Sequence, residues 1–300
     1  MTILVFGSIG ADLVSTVKEF PREGQMVPAL SFEQFAGGKG SNQALAAKRA
    51  GSEVLMAGAV GDDEFSKIAL KNLIFSGVNI SLVQRTSQST GIATIFVDQR
   101  GQNCISVYPG ANGLAAQENI PDSVLSSAHY LVMQHECSLV ENKLLSKRAR
   151  ELGVQVVLNA APAYPLYLDD LENIDILIVN ETEAEFLATQ HNYNQTDDFC
   201  YQTYLKFGCK TILTLGEKGA QYYDGLSAGR LSAPLVNVVD TTGAGDSFVG
   251  AFVSGLDHGC SFSESIKWGI AAGSLSCTKK GAQSGVASKQ EILNLAATLF

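Results

Sequence analysis

A chain of 300 residues, 46% apolar and 17% charged, can bury a sizeable core without disulfide or metal staples, which excludes a disordered protein and permits one large α/β domain or two small ones. Its formal charge of −9 denies it the basic field that nucleic acid or an anionic membrane needs, so any phosphate must be held locally. The six cysteines, Cys104, Cys137, Cys200, Cys209, Cys260 and Cys277, include no C-x-x-C pair and accompany only four histidines, which argues against a zinc cluster or disulfide framework and for isolated buried thiols.

The chain enters directly on Thr2-Ile3-Leu4-Val5-Phe6-Gly7, without the basic and long apolar regions of a secretory leader. No run reaches the ~20 apolar residues of a membrane span, and a protein of the reducing cytoplasm is expected. Ile3 to Phe6 is the continuous apolar run of a strand buried on both faces. In Gly7-Ser8-Ile9-Gly10-Ala11-Asp12 the glycine spacing is not G-x-G-x-x-G, and extended chain follows instead of a helix, which excludes a Rossmann turn. Asp12 falls just past the carboxyl end of a core strand, where α/β sheets bind ligands; turn capping is its alternative role.

Residues 13–35 carry no helical period, and their short alternating segments predict strands outside the main sheet. Gly37-Gly38-Lys39-Gly40-Ser41-Asn42 then leads into a small-residue helix, Gln43 to Ala50, ended by Gly51. Lys39, Asn42 and bare glycine N–H groups suit a hydroxyl-rich ligand, unless the glycines serve only close packing. The spacing is not that of a Walker loop. Glu53 to Val60 reads as a core strand and Glu64 to Phe75 as a helix. Thr90 to Asp98 and Asn103 to Tyr108, around a glycine turn, form a hairpin signature. With residues 13–35, the segment 90–109 predicts a sheet of about four strands, too small for its own core and suited to a lid or dimer contact.

From Ala128 the pattern is regular βα alternation. Tyr130 to Met133 is a strand ending in Gln134-His135-Glu136, Leu139 to Leu152 a helix, and Val154 to Leu158 a strand. Ile174 to Val179 is a strand ending in Asn180-Glu181-Thr182-Glu183. Asn180 and Glu183 can meet one ligand edge, with the acid ordering magnesium-bound water, or can simply cap a helix. Lys210 to Leu215 is a further strand that turns through Gly216-Glu217-Lys218-Gly219 into a hairpin. Helices are expected over about 261–279 and 288–298, the second with a Ser288/Glu291 capping box.

The chain's central stretch is Val239-Asp240-Thr241-Thr242-Gly243-Ala244-Gly245-Asp246. Apolar Val236, Val238 and Val239 precede it and a glycine-studded run follows, a pattern read as strand, glycine turn and helix. Unpartnered N–H groups and the macrodipole make Gly243, Ala244 and Gly245 an anion cradle. A carboxylate beside such a cradle repels phosphate but suits proton removal from an attacking hydroxyl, which makes Asp246 the candidate general base. An ordinary capped turn is the other reading of these residues.

The motifs Gly37 to Ala44, Asn180 to Glu183 and Asp240 to Asp246, in this order, resemble the signatures of the ribokinase-type (PfkB) sugar kinases, nearest the ribokinase branch. The resemblance extends over essentially the whole chain and implies a single domain over 1–300: a three-layer α/β/α fold with a β-sheet lid that makes a homodimer. It implies ATP-dependent phosphorylation of a primary hydroxyl of a small sugar, ribose first, with a ketohexose or nucleoside as alternative acceptors. A non-catalytic sugar-binding regulator is the alternative of another class. By resemblance Asp246 is the base and Gly243 to Gly245 the anion hole. Asp12, Gly38, Lys39, Asn42 and Glu136 touch the sugar. Asn180, Thr214, Gly216, Glu217, Gly219 and Gly245 face ATP, and Glu183 orders the Mg2+ water shell. Asp240 and Thr242, with backbone oxygens around Ser276, Lys279, Gly281 and Gly285, match a K+ loop. Two departures stand out: Gly10 replaces a family asparagine, and Ser284-Gly285 replaces proline-serine in the cation loop.

Overall fold

Two β-sheets of different character organise the chain. The computed structural model describes residues 2–193 and 198–299. Its larger, nine-stranded sheet contains β1 (Thr2–Phe6), β4 (Glu53–Gly61), β5 (Asn79–Thr86), β8 (Tyr130–Gln134), β9 (Gln155–Asn159), β10 (Ile176–Asn180), β11 (Lys210–Thr214), β12 (Ala220–Tyr223) and β13 (Ala228–Leu231). The order is β13-β12-β11-β10-β9-β8-β1-β4-β5. Strands β5 to β11 of this order run parallel, and β12 and β13 return antiparallel.

Parallel strands require crossovers, and helices accordingly cover both faces. On one face lie α1 (Lys39–Arg49), α2 (Glu64–Phe75), α8 (Ala244–Asp257) and α9 (Phe262–Ser276), which pack with Ile3, Val5, Val54 and Met56. On the other lie α3 (Asp122–Leu125), α4 (Leu139–Glu151), α5 (Leu168–Leu171), α6 (Glu181–His191) and α7 (Phe199–Phe207), with Leu4 and Phe6. The period-2 alternation of β1 thus feeds two cores at once. A third cluster joins α9 to α10 (Lys289–Ala296) through Trp268, Ala272 and Ile292. The three-layer α/β/α arrangement is as expected.

After β1 the chain builds β4 on one side and only later places β8 on the other. The carboxyl ends of β1 and β8 therefore flank a topological switch point, the place where such sheets open a ligand crevice.

The smaller sheet is β3 (Ala29–Gly37), β2 (Gly10–Val17), β6 (Gly91–Val97) and β7 (Asn103–Tyr108), in that order. It has the four strands expected of the lid. Register puts Asp12 opposite Phe35 and Ala93, with Ala93 opposite Val107, and puts Val14 opposite Ile95, which faces Ile105. Directly opposed residues share a face, so Asp12 belongs to a largely apolar face of the lid. Ile105 and Val107 remain exposed on it.

Three expectations change. Val236 to Val239 form no strand: residues 232–240 carry no ladder, and Val238 and Val239 are exposed. Strand β5, at the sheet edge, was not foreseen, because its sequence NISLVQRT has too few apolar residues to stand out. Of the cysteines, only Cys137, Cys200 and Cys209 are buried, whereas Cys104 is exposed and Cys260 and Cys277 are intermediate; all six are free. Among the described residues no helix is long and apolar enough to cross a membrane.

Candidate active site

The switch point is closed from beneath by a hydrogen bond between the ends of its two strands. Ser8 Oγ, just past β1, donates to Glu136 Oε2, just past β8, at 2.5 Å, and the Lys39 backbone N–H donates to the same oxygen at 3.1 Å. Gly38, the residue before α1, has φ +93°, a conformation unfavourable for a side chain, and a Cβ there would meet Ser8 O at 2.8 Å. This close approach lets α1 start directly over the end of β1.

Helix α8 starts beside α1. Gly243 is left-handed at φ +75°, and a Cβ on it would lie 2.8 Å from Ala282 Cα, so backbone conformation and packing both require glycine. A Cβ at Gly245, in contrast, would meet nothing within 4 Å. The N-terminus of α8 therefore opens on free space where an anion can approach its N–H groups.

Asp246, in the first turn of α8, is buried. Its Oδ2 accepts from Asn42 Nδ2 at 2.9 Å and its Oδ1 from Gln43 Nε2 at 3.0 Å. Burial pushes its carboxyl up, while Lys39, Asn42 and Gln43 oppose the shift and Glu136 adds to it. Lys39 is the cation of the cluster. Its ammonium is held above the ordinary range chiefly by Asp246, against burial, with help from Glu136, Glu183 and Asp12. Asp12 is raised to about 6 by burial, then by Glu136 and Asp246, with Lys39 opposing. One lysine thus faces four acids, an arrangement that favours a neutral, hydroxyl-rich ligand over a second anion.

Asn180 and Glu183 form a reciprocal capping box at the start of α6, with Asn180 N donating to Glu183 Oε2 at 2.8 Å and Glu183 N to Asn180 Oδ1 at 2.9 Å. Asn180 Nδ2 also reaches Glu183 Oε1 at 3.0 Å. Burial raises the Glu183 carboxyl despite these bonds and Lys39. The capping role is therefore real, and each carboxylate oxygen keeps a further acceptor site.

Beyond Gly245 lies a cavity of about 510 Å³, within the range of small-ligand pockets. Thr214, Gly216, Glu217, Gly219, Ala244 and Gly245 line it; Asn180 does not. Its apolar wall includes Leu235, Val236, Val238, Phe248 and Ile270. The residues expected to form a strand before the glycine turn instead supply part of this wall, and their apolar character was the only available signal.

The proposed cation loop is also assembled. Asp240 Oδ1 accepts from Thr242 N at 2.9 Å and Thr242 Oγ1 at 2.7 Å, while Oδ2 accepts from Gly281 N at 2.8 Å. Burial opposes ionisation of Asp240, but these bonds and Lys280 together hold its carboxyl below the usual range. A Cβ on Gly285 would meet Ser276 O at 2.3 Å, so a glycine here permits the two loops to touch. Lys279 is exposed.

Sequence reasoning did not single out three glutamines. Gln43 binds Asp246, Gln134 Nε2 donates to Gln43 Oε1 at 2.8 Å, and Gln283 Nε2 donates to Asn42 Oδ1 at 2.9 Å. Gln43 lies inside the Gly37 to Ala44 motif and Gln283 between the cation-loop positions Gly281 and Gly285, and nothing in either stretch indicates a partner.

Comparison with known proteins agrees with this geometry. The pfkB family carbohydrate kinase model matches residues 2–289. The chain is 36% identical to the ribokinase of Haemophilus influenzae over 297 residues, covering 97% of each. It is 33% identical to the deoxyribokinase of Salmonella typhi, again covering 97% of each. The Arabidopsis thaliana ribokinase solved with ribose and ATP superposes with a TM-score of 0.89 at 29% identity, covering 98% of each chain. A family match over nearly the full chain, this sheet order and an acid beside an open helix N-terminus all agree: the chain belongs to the pfkB carbohydrate kinases and is an ATP-dependent sugar kinase.

Proposed function

We propose that this kinase phosphorylates the primary hydroxyl of a pentose, ribose first, by in-line transfer from ATP, with Asp246 as the general base. The observation that carries the reading is the placement of Asp246. Its carboxylate is buried and held by Asn42 and Gln43, one residue past an open N–H cradle on the wall of the 510 Å³ cavity. The sugar occupies the acid-lined crevice at Asp12, Gly38, Lys39, Asn42 and Glu136. ATP occupies the cavity, with its terminal phosphate at Gly243 to Gly245. The sugar O–H gives its proton to Asp246 as its oxygen bonds to the γ-phosphorus, and the bond to the β,γ-bridging oxygen breaks, releasing ADP. Charge stabilisation by the cradle and by Lys39 supplies much of the rate, as phosphoryl transfer requires.

Among the described residues no group of three or more His, Cys, Asp or Glu side chains is placed to hold a metal. Magnesium therefore fits only as a guest of the ATP phosphates, with Glu183 accepting from its water shell. The all-oxygen set of Asp240, Thr242 and the carbonyl of Ser276 suits a hard monovalent cation such as potassium, which would bias the cradle electrostatically. The exposed apolar lid face around Ile105 and Val107 supports pairing of two lids in a homodimer.

A second acceptor, 2-deoxyribose, is favoured by one feature. Gly10 offers no side chain to the sugar, so loss of one hydroxyl leaves no buried partner unpaired there; a deoxyribokinase stands among the relatives. The test is ATP-coupled phosphorylation of ribose, deoxyribose, fructose and a nucleoside, with and without potassium. Turnover greatest with ribose, and next with deoxyribose, is expected. Activity confined to the hexose or nucleoside would overturn the pentose assignment.

A further inference from the structure

A chain of buried amides stands behind the general base, and its direction can be deduced. An ionised carboxylate only accepts hydrogen bonds, so the Gln43 atom facing Asp246 Oδ1 must be its nitrogen. The second hydrogen on Nε2 goes to Asn159 Oδ1 at 3.0 Å, and Asn159 is itself fixed by Nδ2 donating to Ile178 O at 3.2 Å. With its nitrogen so directed, Gln43 turns Oε1 to Gln134, whose Nε2 donates at 2.8 Å. Gln134 Oε1 is then left buried without a hydrogen-bond partner, packed where a Cβ on Gly7 would come within 2.0 Å of it. Gln43 and Gln134 are both fully buried. Gln134 thus leaves its own Oε1 unsatisfied while its Nε2 holds Gln43 Oε1, a cost borne at 134 for the orientation of the amide at 43.

We propose that Gln43 is a positioning residue for phosphoryl transfer: its amide, oriented by Gln134 and Asn159, fixes the plane of the Asp246 carboxylate and keeps that group in its ionised, accepting form. Protonating Asp246 would aim an O–H at the N–H of Gln43 if it fell on Oδ1, or at that of Asn42 if it fell on Oδ2, and in either case would replace charge-assisted bonds with weaker neutral ones. Reversing Gln43 would in turn set nitrogen against nitrogen at Gln134. The relay therefore penalises the protonated base from the side away from the sugar. The charged groups around Asp246 act in both directions: Lys39 favours the ionised form, while Glu136, Asp12 and Glu183 disfavour it. Gln43 and Asn42 are the neutral donors that join Lys39 on the ionised side, against the burial that leaves the carboxyl raised. The inference rests on the assignment of Asp246 as base.

The test uses the full chain with Gln43→Met, which has similar length and no strong hydrogen bond, and Asp246→Asn in parallel. Melting temperature, kcat, the KM for ribose and for ATP, and the pH profile of kcat are measured. Gln43→Met should lower kcat by about 10²-fold, the scale of a small misplacement of a reacting group, and move the acidic limb to higher pH, with both KM values nearly unchanged. A folded Gln43→Met enzyme with parental kcat and limb overturns the proposal, as does a raised ribose KM at unchanged kcat. Should that variant not fold, Gln134→Met leaves Gln43 in contact with Asp246 but removes its orienting donor. A smaller kcat loss with the same direction of limb shift supports the proposal, and none contradicts it. An inactive Asp246→Asn beside a normal Gln43→Met sinks this inference alone, whereas an active Asp246→Asn removes the base assignment itself.

Discussion

Asn42 Nδ2 donates to Asp246 Oδ2 at 2.9 Å, which joins the first turns of α1 and α8 across 204 residues of sequence. The other end of the Asn42 amide accepts from Gln283, which follows the Gly281 turn that donates to Asp240. The residues proposed for the sugar, the base and the cation are thereby linked through two amides. The linkage depends on how closely the two helices approach.

That approach is set by Gly250, where a Cβ would meet Gln43 O at 2.5 Å and Ala46 Cβ at 2.6 Å. Gly250→Ala should push α8 off α1, lowering stability by about 1–3 kcal/mol as overpacking does and lowering kcat as Asp246 leaves its donors. Thermal unfolding and turnover at saturating substrates check this. Parental values of both would show that the helices have slack.

Asp12 gives a pH-dependent prediction. Its folded pKa is about 6 against an ordinary 3.8, so the folded state holds the proton more tightly than the unfolded one. The associated stability is fully present below about pH 4 and is lost as pH rises through 6. Asp12→Asn, which stays neutral, should therefore stabilise the ligand-free protein at pH 7.5 by roughly 1–3 kcal/mol, with the advantage vanishing near pH 4. The same variant should bind sugar poorly. Denaturant titrations of both proteins at the two pH values decide it; a constant difference would contradict the placement of Asp12.

Leu235 is fully exposed and Val238 is 62% exposed on the wall of the large cavity, as suits apolar groups that cover a nucleotide base. Val238→Asp should raise the KM for ATP roughly tenfold, the scale of one lost apolar contact, and leave the KM for ribose unchanged. A matched rise in both would place the base elsewhere.

Asp240→Ala removes the acceptor of two hydrogen bonds within the 240–242 turn and of the one that ties this turn to Gly281. Its activity should be several-fold lower and should no longer respond to potassium. A full potassium response in this variant would locate the cation at another site.

The sequence was most readable where one physical demand dominated. β1 follows from a continuous apolar run, α2 from apolar period, and the first turn of α8 from glycines beside an acid, because each pattern serves a single element. Val236 to Val239 misled because an apolar run suits a buried strand and the wall of a cavity equally well, and only tertiary context separates the two. Gln43, Gln134 and Gln283 carry no local signal. Their value lies in partners 91 to 242 residues away, and amides in a polar motif read as capping or solvent groups. Asn180 and Glu183 show the opposite case, in which the local capping reading was right and still leaves room for a role in the site.

The most direct test of the account is the transfer of phosphate from ATP to ribose by Asp246→Asn, measured beside calorimetric ribose binding to the same variant. Turnover should fall by about 10²–10⁴-fold while ribose still binds. Near-parental turnover, or loss of ribose binding with the rate per bound sugar intact, would contradict the role given to Asp246.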